Sequence, residues 1–195
     1  MQVLLQNDEL IIPDMTDEQF LDFCVQNRDH RIERTVEGKV IVMSGTGGET
    51  GNRNIEISTQ LNFWARRDGR GVAFDSSTGF RLPSTAIRAP DASWVTRSRL
   101  AQLTKTQKTR FIPLCPEFVI ELLSPSDRLA EVKLKMNEYM ANGSELGWLI
   151  DPPARRVTVY RRDGIETLKG PTHVEGEGPV AGFVLDLKYI WEPGW

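Results

Sequence analysis

The stretch PEFVIELLSPSD, residues 116–127, decides the fold that we expect for this chain. It begins with an apolar run that contains β-branched residues, and it ends in a Ser-Pro-Ser-Asp turn. A short apolar run bounded by turn residues is typical of a buried central strand. One carboxylate interrupts the run, and period-two alternation places Glu121 on the same side as Val119 and Leu123. Both sides of the strand are otherwise apolar.

The segments around this strand show helical and strand patterns in turn. We expect a helix over residues 15–27, a hairpin over 31–43, a helix over 49–67, consecutive antiparallel strands over 71–95, a helix over 128–142, and strands over 146–151 and 157–160. The turn at residues 124–127 is expected to cap the helix that follows it. This order predicts an α/β protein with a mixed central β-sheet flanked by helices.

Composition and charge exclude several classes of protein. With 195 residues, 39% hydrophobic and 26% charged, we expect one domain over residues 1–195, with additions at about 15–43 and 155–195. Cys24 and Cys115 lie far apart without a CxxC motif, so neither a disulfide framework nor a zinc site is indicated. A net charge of −3 gives no general attraction to nucleic acid or membranes. No apolar run reaches the ~18 residues of a membrane span, and the acidic start is unlike a signal peptide, which predicts a cytoplasmic protein.

Two carboxylates lie inside segments that otherwise read as buried sheet, Asp91 in RAPDASWV and Glu121 in the central strand. A buried carboxylate is costly, so each is expected to be neutralised, paired or bound to a metal. A structural interpretation stays open for both. Asp after Pro is common in turns, and Glu121 could pair with an arginine.

Other charged side chains could join these two acids. Lys133 and Lys135 lie on opposite borders of the apolar stripe of the helix at 128–142, so periodicity does not choose between them. Glu49 and Glu56 share one flank of the earlier helix. Two or three carboxylates and a lysine, without His or Cys, favour Mg²⁺ or Mn²⁺. This combination suits phosphodiester hydrolysis.

Basic residues are concentrated in two segments of this acidic chain. Residues 92–116 contain no Asp or Glu and five basic residues: Arg97, Arg99, Lys105, Lys108 and Arg110. A second group consists of Arg66, Arg67 and Arg70. These groups could neutralise DNA phosphates, although a solvated surface is the competing interpretation.

Several ordered stretches of the chain resemble the Uma-two family of restriction-endonuclease-like proteins, part of the PD-(D/E)XK nuclease superfamily. The matching stretches are MSGTGGETGNRN at 43–54, GVAFDSSTGFRLP at 71–83, RAPDASWV at 88–95, LCPEFVIELLSPSDRL at 114–129 and KMNEYMANGSELGWLIDP at 135–152. The resemblance implies a three-layer nuclease core in which a mixed sheet carries helices. It also implies an endonuclease that acts on DNA.

The resemblance also implies roles for particular residues. Asp91 matches the first metal carboxylate and Glu121 the acid of the D/E-x-K motif, with the carbonyl of Leu122 as a further metal ligand. Leu123 stands where the motif lysine would be, and the lysine role passes to Lys135.

The superfamily usually places an additional acidic residue on its first helix, and three residues of this chain could fill that role. Glu49 is the candidate that we choose, while Glu56 and Glu33 stay available.

Three functional hypotheses follow. The first is a Mg²⁺- or Mn²⁺-dependent endonuclease that hydrolyses DNA as a homodimer, because two related sites most simply cut both strands. The second is a catalytically inactive nuclease-fold protein that binds nucleic acid or a protein partner. The third is two-carboxylate hydrolysis of another substrate such as a glycoside, which needs carboxyl groups roughly 5 to 9.5 Å apart.

Overall fold

The computed structural model describes residues 4–6, 9–11, 15–43 and 45–194. Its α-helices are α1 (Asp17–Gln26), α2 (Gly48–Asp68), α3 (Arg97–Ala101), α4 (Lys105–Lys108), α5 (Leu129–Ala141) and α6 (Lys188–Trp191). A single 3₁₀ turn in the described residues covers Gly178–Val180. Among the described residues, no helix combines the length and the apolar character that a bilayer crossing requires.

The described strands fall into three sheets. They are β1 (Leu4–Gln6), β2 (Glu9–Ile11), β3 (Arg31–Arg34), β4 (Lys39–Met43), β5 (Gly71–Asp75), β6 (Phe80–Arg81), β7 (Ile87–Arg88), β8 (Ala92–Thr96), β9 (Phe118–Leu122), β10 (Leu146–Asp151), β11 (Arg156–Arg161), β12 (Gly164–Lys169), β13 (His173–Glu175) and β14 (Val184–Asp186). The strand orders are β12-β11-β10-β9-β8-β5 for the central sheet, β1-β2-β4-β3-β7-β6 for the second sheet, and β13-β14.

The central sheet is mixed, as the sequence predicts. Strands β9 and β10 pair in parallel, while β8, β5, β11 and β12 add antiparallel pairs on either side. The parallel pair requires a crossover, and α5 supplies it. Strand β9 is buried at all five positions, which confirms that the apolar run at 116–123 forms a central strand.

The two faces of the central sheet are covered by different helices. Ile57 and Leu61 of α2 pack against one face, where they join a core that includes Trp94 and Trp148. Burial of such side chains contributes roughly 1.5–3 kcal/mol each. Helix α5 covers the other face through Met136 and Tyr139. The predicted arrangement of a mixed sheet flanked by helices is therefore confirmed.

The segment 71–95 does not form consecutive antiparallel strands, so that prediction is wrong. Strand β5 pairs with β8 in the central sheet, whereas β6 pairs with β7 in the second sheet. The reason is burial. Phe80 and Leu82 are fully buried in the core that lies on the α5 face of the central sheet. A segment that packs on this face cannot also be a strand of the same sheet, so β6 and β7 pair outside it.

The N-terminal hairpin and helix agree with prediction, while one cap differs. Strands β3 and β4 pair antiparallel, and Thr16 begins α1 with a capping box. The turn before α5 was expected to cap that helix. Instead the carboxylate of Asp127 accepts a hydrogen bond from the Ser124 backbone N–H at 2.8 Å, and Arg128 is the N-cap residue. Because Asp127 closes its own turn, its side chain is not used as the cap.

Candidate active site

The register of two central strands brings the two predicted acids together. Ala92 of β8 lies opposite Ile120 of β9, so the preceding residue, Asp91, lies beside Glu121. Both residues are buried, at 7% and 5% exposure. Opposite residues of an antiparallel pair point to the same face, with Cβ atoms about 4.5–5.5 Å apart. That face is the one covered by α5, since Val119 shares it as the alternation predicts.

Asp91 is held by contacts from both sheets. Its Oδ2 atom accepts a hydrogen bond from the backbone N–H of Leu122 at 2.8 Å. Its Oδ1 atom accepts one from Nη1 of Arg31 at 2.8 Å, and Arg31 lies on β3 of the second sheet. The same guanidinium also donates to the carbonyl of Ala89. Asp91 is thus fixed by one backbone donor and one cation.

Lys135 is the lysine that reaches the acids. Its ammonium Nζ lies 2.8 Å from Oε1 of Glu121 and 2.8 Å from Oε1 of Glu33. Lys133, on the opposite border of the stripe, is exposed. Tyr139, one turn further along α5, donates its hydroxyl to Oε1 of Glu121 at 2.9 Å. The structure therefore resolves the choice that helical periodicity leaves open.

Glu33 is the most enclosed carboxylate of the group, with 2% exposure. Its Oε1 atom also accepts the backbone N–H of Ala89 at 3.0 Å, and its Oε2 atom accepts Nη1 of Arg88 at 3.2 Å. Arg88 in turn donates to Glu138 of α5. We call the whole set the charge cluster, and its members are Arg31, Glu33, Arg88, Asp91, Glu121, Lys135 and Glu138.

Burial and neighbouring charges move the pKa values of the cluster in opposite directions. Burial, with repulsion from Asp91 and Glu33, raises the pKa of Glu121 to about 7 despite the attraction of Lys135. Burial would also raise the pKa of Glu33, yet Lys135, Arg88 and Arg31 outweigh it and lower that pKa to about 2. Although burial opposes it, contact with Glu121 and Glu33 raises the pKa of Lys135. Lys135 is therefore an ammonium at neutral pH.

The other two candidates for the additional acidic residue make their contacts along α2. The Glu49 carboxylate is 66% exposed and lies 3.0 Å from Nη1 of Arg53. Glu56 accepts a hydrogen bond from the side chain of Gln60 at 3.1 Å. Of the three candidates, Glu33 is the one whose carboxylate contacts Lys135. The structure thus brings Glu33 to the acids and places Glu49 in an ion pair on its own helix.

Part of the predicted basic residues lies at the other end of β8 from Asp91, whereas Arg110 lines a pocket beside Asp17 and Ile87. Arg97 follows that strand six residues after Asp91, or about 20 Å at the rise of an extended chain. Its backbone N–H donates to the carbonyl of Arg70 at 2.9 Å. This contact joins it to the end of α2 in a surface that we call the basic corner, which consists of Arg66, Arg67, Arg70 and Arg97. Arg99 instead pairs with Glu117 at 3.0 Å.

The oxygens beside Asp91 fit a hard divalent cation. Asp91, Glu121 and the carbonyl of Leu122 are donors that Mg²⁺ prefers. The N–H and C=O of one strand residue lie on the same edge, so the Leu122 carbonyl faces the strand of Asp91. Within the described residues, no group of three or more Asp, Glu, His or Cys side chains is arranged to hold an ion. An ion here would take water or phosphate oxygens as its remaining ligands, as Mg²⁺ commonly does.

Sequence reasoning missed Arg31, Arg88 and Tyr139 as members of the site. Tyr139 is visible in the sequence as part of the apolar stripe of α5, but its hydroxyl contact is not. The sequence of the hairpin could have indicated Arg31 as a member of the site, because alternation places Arg31 and Glu33 on the same side of β3. No local pattern marks Arg88.

Comparison with known proteins identifies the family of the chain. The chain matches the model of a family, Uma2, that is described as "Putative restriction endonuclease", over residues 17–188. The chain belongs to the Uma2 family. The resemblance indicated by the sequence motifs is thereby confirmed.

This Uma2 chain is also similar to a solved structure from Anabaena variabilis ATCC 29413, described as "a putative nuclease belonging to DUF820". The TM-score is 0.68 and the identity 23%, over 82% of this chain and 89% of that chain. At this identity the likeness concerns the fold, and it confirms the predicted restriction-endonuclease-like core. No curated protein matches the chain.

Proposed function

We propose that this Uma2 protein is a Mg²⁺- or Mn²⁺-dependent endonuclease that hydrolyses DNA phosphodiester bonds. The observation that carries the proposal is the pairing of Asp91 and Glu121 on adjacent strands, with the ammonium of Lys135 in contact with Glu121 at 2.8 Å. The family description supports a nuclease. The chemistry of the site supports the metal, since all the candidate ligands are oxygens.

The proposed roles follow from the contacts. Asp91, Glu121 and the Leu122 carbonyl hold Mg²⁺, which when bound supplies Lewis-acid polarisation of the phosphate and a lowered pKa of bound water. Lys135 has three N–H donors, and two of them face Glu33 and Glu121. The third is left for the attacking water or a phosphate oxygen.

The charge balance of the cluster favours a cation. With Glu121 ionised, the cluster has four carboxylates (Glu33, Asp91, Glu121, Glu138) and three cations (Arg31, Arg88, Lys135), which gives a net charge of −1. A bound divalent ion changes this to +1, and a positive site attracts a phosphodiester. The basic corner supplies a second, more distant contact for the DNA backbone.

We also propose that the protein acts as a homodimer, because cleavage of both strands of a duplex is simplest with two related sites. Light scattering at the concentrations used for cleavage measures the mass directly. A dimer should release linear duplex from a plasmid without a long-lived nicked form. A monomeric mass would contradict the dimer while leaving the hydrolytic proposal intact.

A second candidate function has an observation in its favour. Asp91 is paired with Arg31 and Glu121 with Lys135, so both acids are neutralised by the protein itself. A nuclease-fold protein that binds nucleic acid or a protein partner without cutting would need no more than this. Titration calorimetry with Mn²⁺ separates the two functions, since the nuclease must bind the ion at the Asp91 pair.

Plasmid cleavage tests the proposal. Supercoiled DNA should be nicked or linearised with Mg²⁺ or Mn²⁺ and left intact with EDTA, and the folded variants Asp91→Asn, Glu121→Gln and Lys135→Met should lose this activity. Lys133→Met is the matched control, because that lysine lies exposed on the same helix. Cleavage that survives Glu121→Gln would refute the assignment of the site. Cleavage lost equally in Lys133→Met would refute the role of Lys135.

A further inference from the structure

We infer that Glu33 is a positioning residue of the proposed hydrolysis, which holds the ammonium of Lys135 in place without binding the metal itself. The inference rests on the proposed function. It departs from the expectation that an acidic residue of the first long helix completes the site. The residue lies instead on β3, in the second sheet, and acts through Lys135.

Glu33 is a rigid anchor. Its side chain is almost fully enclosed, at 2% exposure. The backbone N–H of Ala89 and the guanidinium of Arg88 both donate to it, at 3.0 and 3.2 Å. A carboxylate held by a backbone donor and a buried cation has little freedom to move. The position of its Oε1 atom is therefore set by the packing of β3 against β7.

The contacts of Glu33 argue against a role as a metal ligand. Its Oε1 atom accepts from both Lys135 and Ala89, and its Oε2 atom accepts from Arg88. Arg31 lies 3.8 Å from Oε1. Three cations therefore surround this one carboxylate, and a divalent ion placed among them would be repelled. The surroundings of Glu33 are those of an acceptor for ammonium and guanidinium groups.

The ammonium of Lys135 needs a second hydrogen-bond acceptor if its N–H bonds are to point in fixed directions. The lysine side chain is a flexible stem, and contact with Glu121 alone would leave the ammonium free to pivot about that carboxylate. Glu33 adds a fixed point on the opposite sheet, at the same 2.8 Å distance. Because two of the three N–H bonds point at carboxylates, the tetrahedral geometry of the ammonium fixes the direction of the third. Glu33 also accepts from Ala89, two residues before Asp91, which ties the lysine to the strand of the other acid.

The test compares Glu33→Gln with the matched control Glu138→Gln. Both variants remove one carboxylate from Arg88, and Glu33 alone of the two contacts Lys135. We expect Glu33→Gln to lower kcat by about 10²-fold while KM changes little, because a misplaced catalytic group costs the transition state more than the ground state. Glu138→Gln removes the same charge from the cluster, while the Glu138 carboxylate contacts Arg88, so the kcat of this variant should fall much less than that of Glu33→Gln. Equal losses in both variants would overturn the inference, since they would show a structural role.

A double-mutant cycle and a metal-binding measurement separate a role of Glu33 through Lys135 from a role as a metal ligand. If Glu33 acts through Lys135, then adding Glu33→Gln should not lower further the residual kcat of Lys135→Met. The Kd for Mn²⁺, measured by calorimetry, should rise far less in Glu33→Gln than in Asp91→Asn, because Glu33→Gln removes a charge of the cluster and no ligand. A Kd raised as strongly as in Asp91→Asn would overturn the inference, because it would make Glu33 a ligand.

Two charge-balanced double variants provide the same test if Glu33→Gln does not fold. Arg88→Gln with Glu33→Gln removes one charge of each sign, as does Arg88→Gln with Glu138→Gln. The first pair should lose kcat by about 10²-fold relative to the second, because only the first pair frees the Lys135 ammonium. Equal kcat values in the two pairs would overturn the inference.

A readout that needs no DNA separates this inference from the proposed function. The ammonium protons of a lysine held by two carboxylates exchange slowly and give a ¹H–¹⁵N correlation, which Lys135→Met assigns by its disappearance. We expect the correlation in the wild type and Glu138→Gln, and its loss by fast exchange in Glu33→Gln. If no variant cuts DNA, the proposed function fails and this signal still tests the placement of Lys135. A signal that persists unchanged in Glu33→Gln overturns the inference.

Discussion

The carboxylate of Asp91 accepts a hydrogen bond from the backbone N–H of Leu122 at 2.8 Å. Leu122 ends β9 and Asp91 immediately precedes β8, so this side chain continues the pairing of the two strands where the backbone ladder stops. The carboxylate has two functions in consequence. It satisfies a buried donor of the sheet, and it faces the Glu121 carboxyl group.

Asp91→Ala should therefore destabilise the protein as well as inactivate it. The substitution leaves the Leu122 N–H without its acceptor, which costs about 1–3 kcal/mol of unfolding free energy. Asp91→Asn keeps an oxygen for that N–H and should cost less. Urea unfolding of the three proteins without metal measures the difference. Equal stabilities for Asp91→Ala and the wild type would show that this hydrogen bond contributes nothing to the fold.

The low pKa of Glu33 makes the stability of the protein depend on acid pH. The folded-state pKa is lowered from 4.5 to about 2, so the stabilisation is complete above the unfolded value and is lost as the pH falls from 4.5 toward 2. Its size is on the order of 3 kcal/mol. Unfolding free energies between pH 7 and pH 3 should fall more steeply for the wild type than for Glu33→Gln. Glu131→Gln, which changes a carboxylate that is 60% exposed, should follow the wild type.

The basic corner should contribute to DNA affinity through charge. Arg67 is exposed in the last turn of α2, and Arg67→Glu should weaken binding of duplex DNA and lower the slope of log K against log salt by about 1. Fluorescence anisotropy with EDTA present measures binding without cleavage.

The matched control for the basic corner is Lys169→Glu, which makes the same change in net charge on β12, the opposite edge strand. It should bind DNA nearly as the wild type does. If Lys169→Glu weakens binding as much as Arg67→Glu, then total charge, rather than the basic corner, determines affinity.

Gly71 of β5 permits close packing against Trp94 of β8, the strand that follows Asp91. A Cβ atom at Gly71 would lie 2.1 Å from the ring of Trp94, a residue that is 1% exposed and has no room to withdraw. Gly71→Ala should cost about 1–3 kcal/mol, seen as a lower Tm. Gly164→Ala is the control, since a Cβ atom there meets nothing within 4 Å, and its Tm should not fall.

Local patterns predict much of the fold and part of the site. Alternation alone places Glu121 in a buried strand on the side of Val119, and period 3.6 finds the helix that carries Lys135. These features depend on neighbours within one element. The choice of Lys135 over Lys133 comes from family resemblance, because both lysines border the apolar stripe and only the register of α5 on the sheet separates them.

The remaining features depend on contacts between distant parts of the chain. Arg31 reaches Asp91 across 60 positions, and Lys135 reaches Glu33 across 102. No periodicity encodes such pairs, since they follow from how the second sheet meets the central sheet and α5. The same reason explains the departure of β6 and β7 from the central sheet.

The charge cluster is built from two separate sheets and α5, which makes the proposed activity more fragile than the scaffold. Local opening of the hairpin that carries Arg31 and Glu33 would leave α2, α5 and the six central strands in place. It would also release Asp91 from its cation and Lys135 from one of its two acceptors. Proteolytic nicking or partial denaturation at that hairpin should thus abolish the proposed DNA cleavage at a dose that leaves the circular dichroism of the protein almost unchanged.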